Sequence, residues 1–235
     1  TTVEEAERLA GHFVLTVDDP HRRDIWGPGA TELLSALLLA ANLSGADLNQ
    51  VYTWLTDDGS PEPYDILAAH RQFSAQANGL RGIQTTAWET KTGFYQTART
   101  AARCLRDPQI MAWVTPPVPG SLATFDPVAF VHSRDTLYLL SKDSGASAAP
   151  LIAALTDRVM REAMRCGEAA GGRLDPPLPV VLDEAANICR IADLPALYSH
   201  LGSRGVLPIT ILQSWAQGEV VWGKPLDQDL VVVAG

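Results

Sequence analysis

Pro176-Pro-Leu-Pro-Val-Val-Leu-Asp-Glu-Ala-Ala-Asn-Ile188 runs apolar for several positions and then sets two carboxylates, Asp183 and Glu184, side by side. An apolar run of this length reads as a strand, here 178–183, driven through a core. In open α/β sheets, ligands sit beyond the carboxyl ends of the strands, and the two acids stand at that end. Acids so placed suit nucleotide hydrolysis. One positions Mg²⁺, commonly through water, while its neighbour orients and deprotonates the attacking water. The other reading is structural: the pair caps the following helix near its positive end.

The pattern around this stretch repeats. Thr136-Leu-Tyr-Leu-Leu-Ser141 is of strand length, and a long helix from Ala148 to Ala170 follows, closed by Gly171-Gly172. Beyond 178–183 come a helix at 194–202, a strand at 208–213, a short helix near 214–222 and a strand at 229–233. Strands alternating with helices predict a parallel α/β sheet. Gln213 ends its strand at the same sheet edge as the acids. A neutral amide there can touch a terminal phosphate, or simply be a polar residue in a turn.

The first part of the chain reads as helices. Val3 to Leu15 carries an apolar face, with Thr2 and Glu5 spaced as a capping box. A second helix opens at Pro28-Gly29, runs through Leu43 and ends at Gly45. It is apolar nearly all round and therefore expected to be buried. Further helices are expected at 47–55, 64–78 and 80–105, with a turn at Asp57-Asp-Gly-Ser-Pro61. Pro116, Pro117, Pro119 and Gly120 form the clearest linker, dividing the chain into an all-helical domain, 1–120, and an α/β part, 121–235.

With 235 residues the chain can bury a sizeable core, and its net charge of −9 argues against a surface that clamps nucleic acid unaided. Cys104, Cys166 and Cys189 have no metal spacing and fit reduced cytosolic thiols. The five histidines are scattered, and no apolar run reaches the roughly 18–20 residues of a membrane span. Arg158, Arg161 and Arg165 share a helix face that is expected to be solvated, with Asp157 and Glu162 as i,i+4 partners. The opening on Thr1-Thr2 without Met, and the stop at Gly235 after an apolar strand, read as a piece of a longer polypeptide.

A phosphate-binding loop is the missing part. Gly218-Glu-Val-Val-Trp-Gly-Lys224-Pro225 matches G-x-x-x-x-G-K, but Pro225 stands where a Ser or Thr would ligate Mg²⁺. The segment also follows a helix and is bulky inside, so it reads as coincidence. Gly27-Pro28-Gly29 offers no N–H at Pro28 and follows no strand.

The run from Pro177 to Gly223 resembles the second half of the motor domain in type IV coupling proteins, the TraG/TraD group of hexameric conjugation ATPases. The residues that carry the likeness are Leu182-Asp-Glu-Ala-Ala-Asn187, Ile191-Ala-Asp-Leu-Pro195, Ser203-Arg204-Gly205, Leu212-Gln213-Ser214 and Gln217. Trp26–Ala41 and Val51–Leu55 look like that family's inserted helical domain. The resemblance implies a partial RecA-like P-loop NTPase sheet that lacks its phosphate-loop strand. It implies Asp183 for Mg²⁺, Glu184 as the base (the Walker B pair) and Gln213 as the γ-phosphate sensor. Arg204 is left as the one arginine of a motif that usually carries two, available as a finger to a neighbouring subunit.

ATP and Mg²⁺ would belong to the parent protein, with neither held tightly by this fragment. Relaxosome or effector proteins would meet the helical part, while DNA and secretion-channel components would meet the parent hexamer at the cytoplasmic face of the membrane. The fragment itself would be soluble, and monomeric or weakly oligomeric. Two alternatives stay open: a stand-alone helical protein-binding module, and a DNA-pumping ATPase of cell division or packaging. By analogy with related motors, 136–141, 178–183 and 208–213 should form one sheet, leaving 229–233 orphaned.

Overall fold

The computed structural model describes residues 2–17, 25–118, 121, 124–141 and 147–223, and the backbone of 232–234. The chain divides into two compact units, Thr1–Pro119 and Gly120–Gly235.

The first unit is helical. Helix α1, Val3–Val14, opens on the capping box: Thr2 Oγ1 accepts the Glu5 N–H at 3.2 Å, and the Thr2 N–H donates to the Glu5 carboxylate at 2.9 Å. Helix α2, Trp26–Ser44, is the centre of the unit. Leu33, Leu37 and Leu39 have no exposed surface, and the helix ends where Gly45 turns left-handed at φ 72°. Around it pack α1, α3 (Leu48–Thr56), α4 (Glu62–Ala68), α5 (Ser74–Thr85) and α6 (Trp88–Ala101). Glycines let α2 and α6 approach closely. The Phe94 ring fills the space a Cβ on Gly29 would need, the Trp26 ring does the same over Gly93, and the two rings meet edge-on at 5.7 Å.

The expected helices at 64–78 and 80–105 are instead three, α4, α5 and α6, with 3₁₀ turns at Arg71–Phe73 and Ala102–Arg106, and α7 (Pro108–Val114) follows beyond them. The breaks come where backbone turns extended, at His70 and Thr86, and the expected boundary at 78–80 lies within α5. Asp107 restarts the chain by accepting the Gln109 N–H at 2.8 Å, with Pro108 in the first turn.

The second unit holds α8 (Pro127–Val131), α9 (Ala149–Ala169), β1 (Leu178–Leu182), α10 (Ala185–Ile188), α11 (Leu194–Leu201), β2 (Val206–Leu212), α12 (Trp215–Trp222) and β3 (Val232–Ala234). All three strands are parallel in the order β1-β2-β3, with Leu178 opposite Val206 and Thr210 opposite Val232. Two expectations about the sheet are therefore corrected. Segment 136–141 is not a strand: Tyr138 and Leu140 are exposed, and the segment shares with β1 the lining of a cavity of about 390 Å³. The last strand pairs directly with β2. With no strand interposed, the free N–H and C=O groups along that edge of β2 take the nearest extended backbone. Of the expected strand 229–233, residues 229–231 lie outside the described residues, as do Lys224 and Pro225.

The expected buried strand alternates instead. Leu182, Val206 and Leu212 share a core with Met160, Leu194 and Leu201, and buried Thr210 bonds the Tyr198 hydroxyl, while Val181, Leu207 and Ile209 on the opposite face are 62%, 39% and 41% exposed. Two prolines fit because of where their missing N–H points. The Leu178 N–H donates to Gly205 at 2.8 Å, so the alternation of the strand turns Pro179 to the outer edge of β1. Pro208 lies two residues before Thr210, the first β2 residue paired with β3 among the described residues. The turn into β2 is tight: Gly205, at φ 81°, would place a Cβ 2.6 Å from the Leu174 carbonyl oxygen.

The α9 face is not simply solvated. Asp157 and Glu162 are 2% and 3% exposed, and the arginines cover them, Arg161 on Asp157 at 2.8 Å and Arg165 on Glu162 at 2.8 Å. Buried carboxylates need such partners to offset their lost hydration. Among the described residues, no helix is long and apolar enough to cross a membrane.

Candidate functional site

The carboxyl ends of β1 and β2 form one rim. Asp183 follows β1 directly and is exposed. Glu184 comes next with φ 49° and ψ 42°, a left-handed backbone that costs a side-chain-bearing residue energy and recurs at functional sites. That turn aims the Glu184 side chain across to β2. Gln213, the residue after β2, donates its Nε2–H to Glu184 Oε1 at 2.7 Å.

This contact is not a helix cap. Glu184 precedes α10, but its carboxylate makes no capping bond to that helix, which has four residues. Its partners are side-chain amides: Gln213 on one oxygen, and Asn187 Nδ2 at 3.4 Å on the other. The amides continue one residue further, since Gln217 Nε2 donates to Gln213 Oε1 at 3.4 Å. Asn187 and Gln217 carried part of the family likeness in the sequence but were given no chemical role there. Their spacing, three after Glu184 and four after Gln213, was the available signal, because side chains so spaced meet on a helical turn.

Arg204 is elsewhere. It precedes β2, so the seven residues of that strand, at about 3.3 Å each, separate it from the rim. There it pairs with Glu168 at 3.3 Å, and its carbonyl accepts the Leu174 N–H at 2.9 Å.

What could this rim hold? Exposed carboxylate oxygens suit Mg²⁺, which binds through one or two carboxylates when phosphate oxygens and water complete its shell. Among the described residues no group of three or more His, Cys, Asp or Glu side chains could hold a metal by itself. A phosphate cradle is a different requirement. Gly218 to Trp222 lie within α12, whose amides are committed to the helix, so that stretch cannot wrap a phosphate. The rim therefore offers carboxylate and carboxamide groups without a phosphate cradle.

No curated protein and no solved structure matches the chain. The family model described as the TraM recognition site of TraD and TraG matches residues 177–231, from the residue before β1, across the whole rim, to the residue before β3. That match is consistent with a fragment of a TraG/TraD-like coupling protein.

Proposed function

We propose that the chain is the distal, RecA-like part of an ATP-driven conjugation motor together with its helical domain. The observation that carries this is the hydrogen bond from Gln213 to Glu184 across neighbouring strand ends, beside Asp183, within the matched segment. In that reading Asp183 serves Mg²⁺, Glu184 takes the proton of the attacking water, and Gln213 meets the terminal phosphate. When bound, ATP and Mg²⁺ supply the phosphoryl group and its charge neutralisation. The chain's own residues orient the water and hold its proton at Glu184. Arg204, at the amino end of β2 and away from the rim, would serve as a finger to a neighbouring subunit.

The open sheet face of Val181, Leu207 and Ile209 supports the same reading, because parallel sheets are ordinarily covered on both faces. The parent would drive DNA, or protein joined to it, toward a secretion channel at the cytoplasmic face of the membrane. Relaxosome-type partners are supported by the description of the matched family. For such partners, the net charge of −9 favours basic protein surfaces over bare DNA.

The test is ATP turnover by the coupling protein that carries this chain, wild type against Glu184→Gln. Turnover should fall by about 10² or more with the variant, the usual scale for losing a general base. Equal rates would remove the role given to Glu184. The chain by itself should show no micromolar ATP binding in calorimetry.

A further inference from the structure

A cavity of about 590 Å³ lies within the first unit, among α1, α2 and α5, and nothing in the motor scheme uses it. Glu7 and Glu32 line it, both exposed, and neither carboxylate has a partner among the described residues. Thr31 Oγ1 donates to the Gly27 carbonyl at 3.0 Å, so its oxygen has only acceptor capacity left for the cavity. Ser35 is 5% exposed and also has no hydrogen-bond partner among the described residues. No fully buried side-chain oxygen or nitrogen among them lacks a partner, so what stays open of Ser35 is its hydroxyl, turned into the cavity. Two unpaired anions and two hydroxyl oxygens facing one space ask for a donor that carries positive charge.

We infer that this cavity takes the guanidinium of an arginine presented by a basic partner protein. Glu32 is placed for it by the fold. A Cβ on Gly79 would lie 2.5 Å from Glu32 Oε1, so the carboxylate of α2 rests against α5. Glycine inside a helix is less favourable than alanine, and here it makes room for that carboxylate. A guanidinium has five N–H donors in one plane, no acceptor and a permanent charge, so it can meet both carboxylates and the hydroxyls together. Ala36 and Ala75 give its methylene stem an apolar wall. A metal ion is the poorer fit, since no third His, Cys, Asp or Glu joins the pair among the described residues. Free arginine is poorer too, because its own carboxylate would meet two anions, whereas a residue within a chain brings only the cation. The cation site stands on the first unit alone. A protein as the source rests on the relaxosome-type reading, with the net charge of −9 favouring basic surfaces.

The experiment is an NMR titration of the whole chain with N-acetyl-arginine amide, a single arginine without its terminal charges. Signals of Ala36, Ala75 and the Gln76 carboxamide, which line the cavity, should shift and saturate. N-acetyl-citrulline amide, of the same shape but uncharged, should shift nothing. Glu7→Gln and Glu32→Gln should each weaken binding about 2–5-fold, the scale of one exposed ion pair. Gly79→Ala keeps the net charge and favours the helix, yet displaces Glu32, and should weaken binding as Glu32→Gln does. Glu89→Gln, an acid outside the cavity lining, should change nothing. Equal binding of the citrulline compound, absence of saturation, or undiminished binding in Glu32→Gln and Gly79→Ala overturns the site. A tighter hold on spermidine than on an acetylated triarginine amide of the same charge overturns a protein as its source. Backbone amide spectra report whether each variant keeps its fold, and where Gly79→Ala does not, Glu7→Gln and Glu32→Gln combined decide the matter. Unchanged turnover in Glu184→Gln would sink the motor reading and leave this site standing.

Discussion

The two units bury apolar surface in opposite styles. In the first, a single helix, α2, is apolar nearly all round and is jacketed by its neighbours, with Leu33, Leu37 and Leu39 fully buried. In the second, the strands alternate, and a row of apolar side chains, Val181, Leu207 and Ile209, faces outward. Both segments look equally hydrophobic in sequence. Average hydrophobicity therefore does not reveal which residues stabilise the fold and which are available for contact. The neighbours decide it.

Each unit carries a natural reporter of its interior. Cys104 in the first and Cys189 in the second are 2% and 4% exposed, and burial pushes both thiols up to about 11. Cys166 is half-buried, its pKa raised first by desolvation and then by Glu162. In the native protein a thiol reagent should modify Cys166 first. Cys104 and Cys189 should lag by about 10³-fold or more, because labelling them requires an opening that costs several kcal/mol. Comparable rates for all three would erase the picture of two dry interiors. The sign of the pH effect follows. An unfolded thiol ionises near 8.5 and these two near 11, so stability is intact below the unfolded value and falls as pH rises between the two. A urea midpoint that held constant from pH 8 to pH 11 would contradict it.

Next in size is a direct comparison of the two kinds of apolar residue. Leu37→Ala, in the jacketed helix, should cost about 2–5 kcal/mol, while Val181→Thr on the outward face should stay within about 0.5 kcal/mol. Urea unfolding, followed at Cys104 for the first and Cys189 for the second, measures both. Similar losses would mean that the sheet face is not the free surface it looks to be. Smaller again is Gly205→Ala. It adds left-handed strain and a Cβ against the Leu174 backbone, so a cost of about 2 kcal/mol is expected where an ordinary surface Gly→Ala is neutral or favourable.

How much of this was legible follows the physics of each element. The capping box of α1 was readable because it is local, Thr2 and Glu5 meeting within one turn. That Asp183 and Gln213 each end a strand could be read from the strand lengths, whereas the adjacency of those strands was an expectation by analogy with related motors. The alternation of β1 could not, because its outward positions, Pro179 and Val181, are as apolar as its inward ones. The break between α5 and α6 at Thr86–Ala87 carries no glycine or proline, and the two glycines in α5 marked no end. Segment 136–141 has a strand's composition, but a strand needs a partner, and composition does not supply one. The ladder that formed instead, β2 with β3, depended on which edge was left free.

The smallest expected effect concerns two of the positive-φ residues of the second unit, Gly205 and Glu184. At Gly205 the backbone conformation is met by the one residue that adopts it freely. At Glu184, with φ 49°, it is imposed on a side chain. If Glu184 were chosen for stability, glycine would have served better there. Comparing Glu184→Gly with Glu184→Ala isolates the backbone, because both variants lose the bonds to Gln213 and Asn187 in equal measure. The glycine variant should be the more stable of the two by about 1 kcal/mol, measured by urea unfolding at Cys189. That result would mean the protein tolerates strain at this position in order to keep a carboxylate on the rim, which is how strained backbone is ordinarily retained. Equal stability would mean that the turn carries no strain. Glu184 would then be an unremarkable turn residue whose contact with Gln213 needs no functional account.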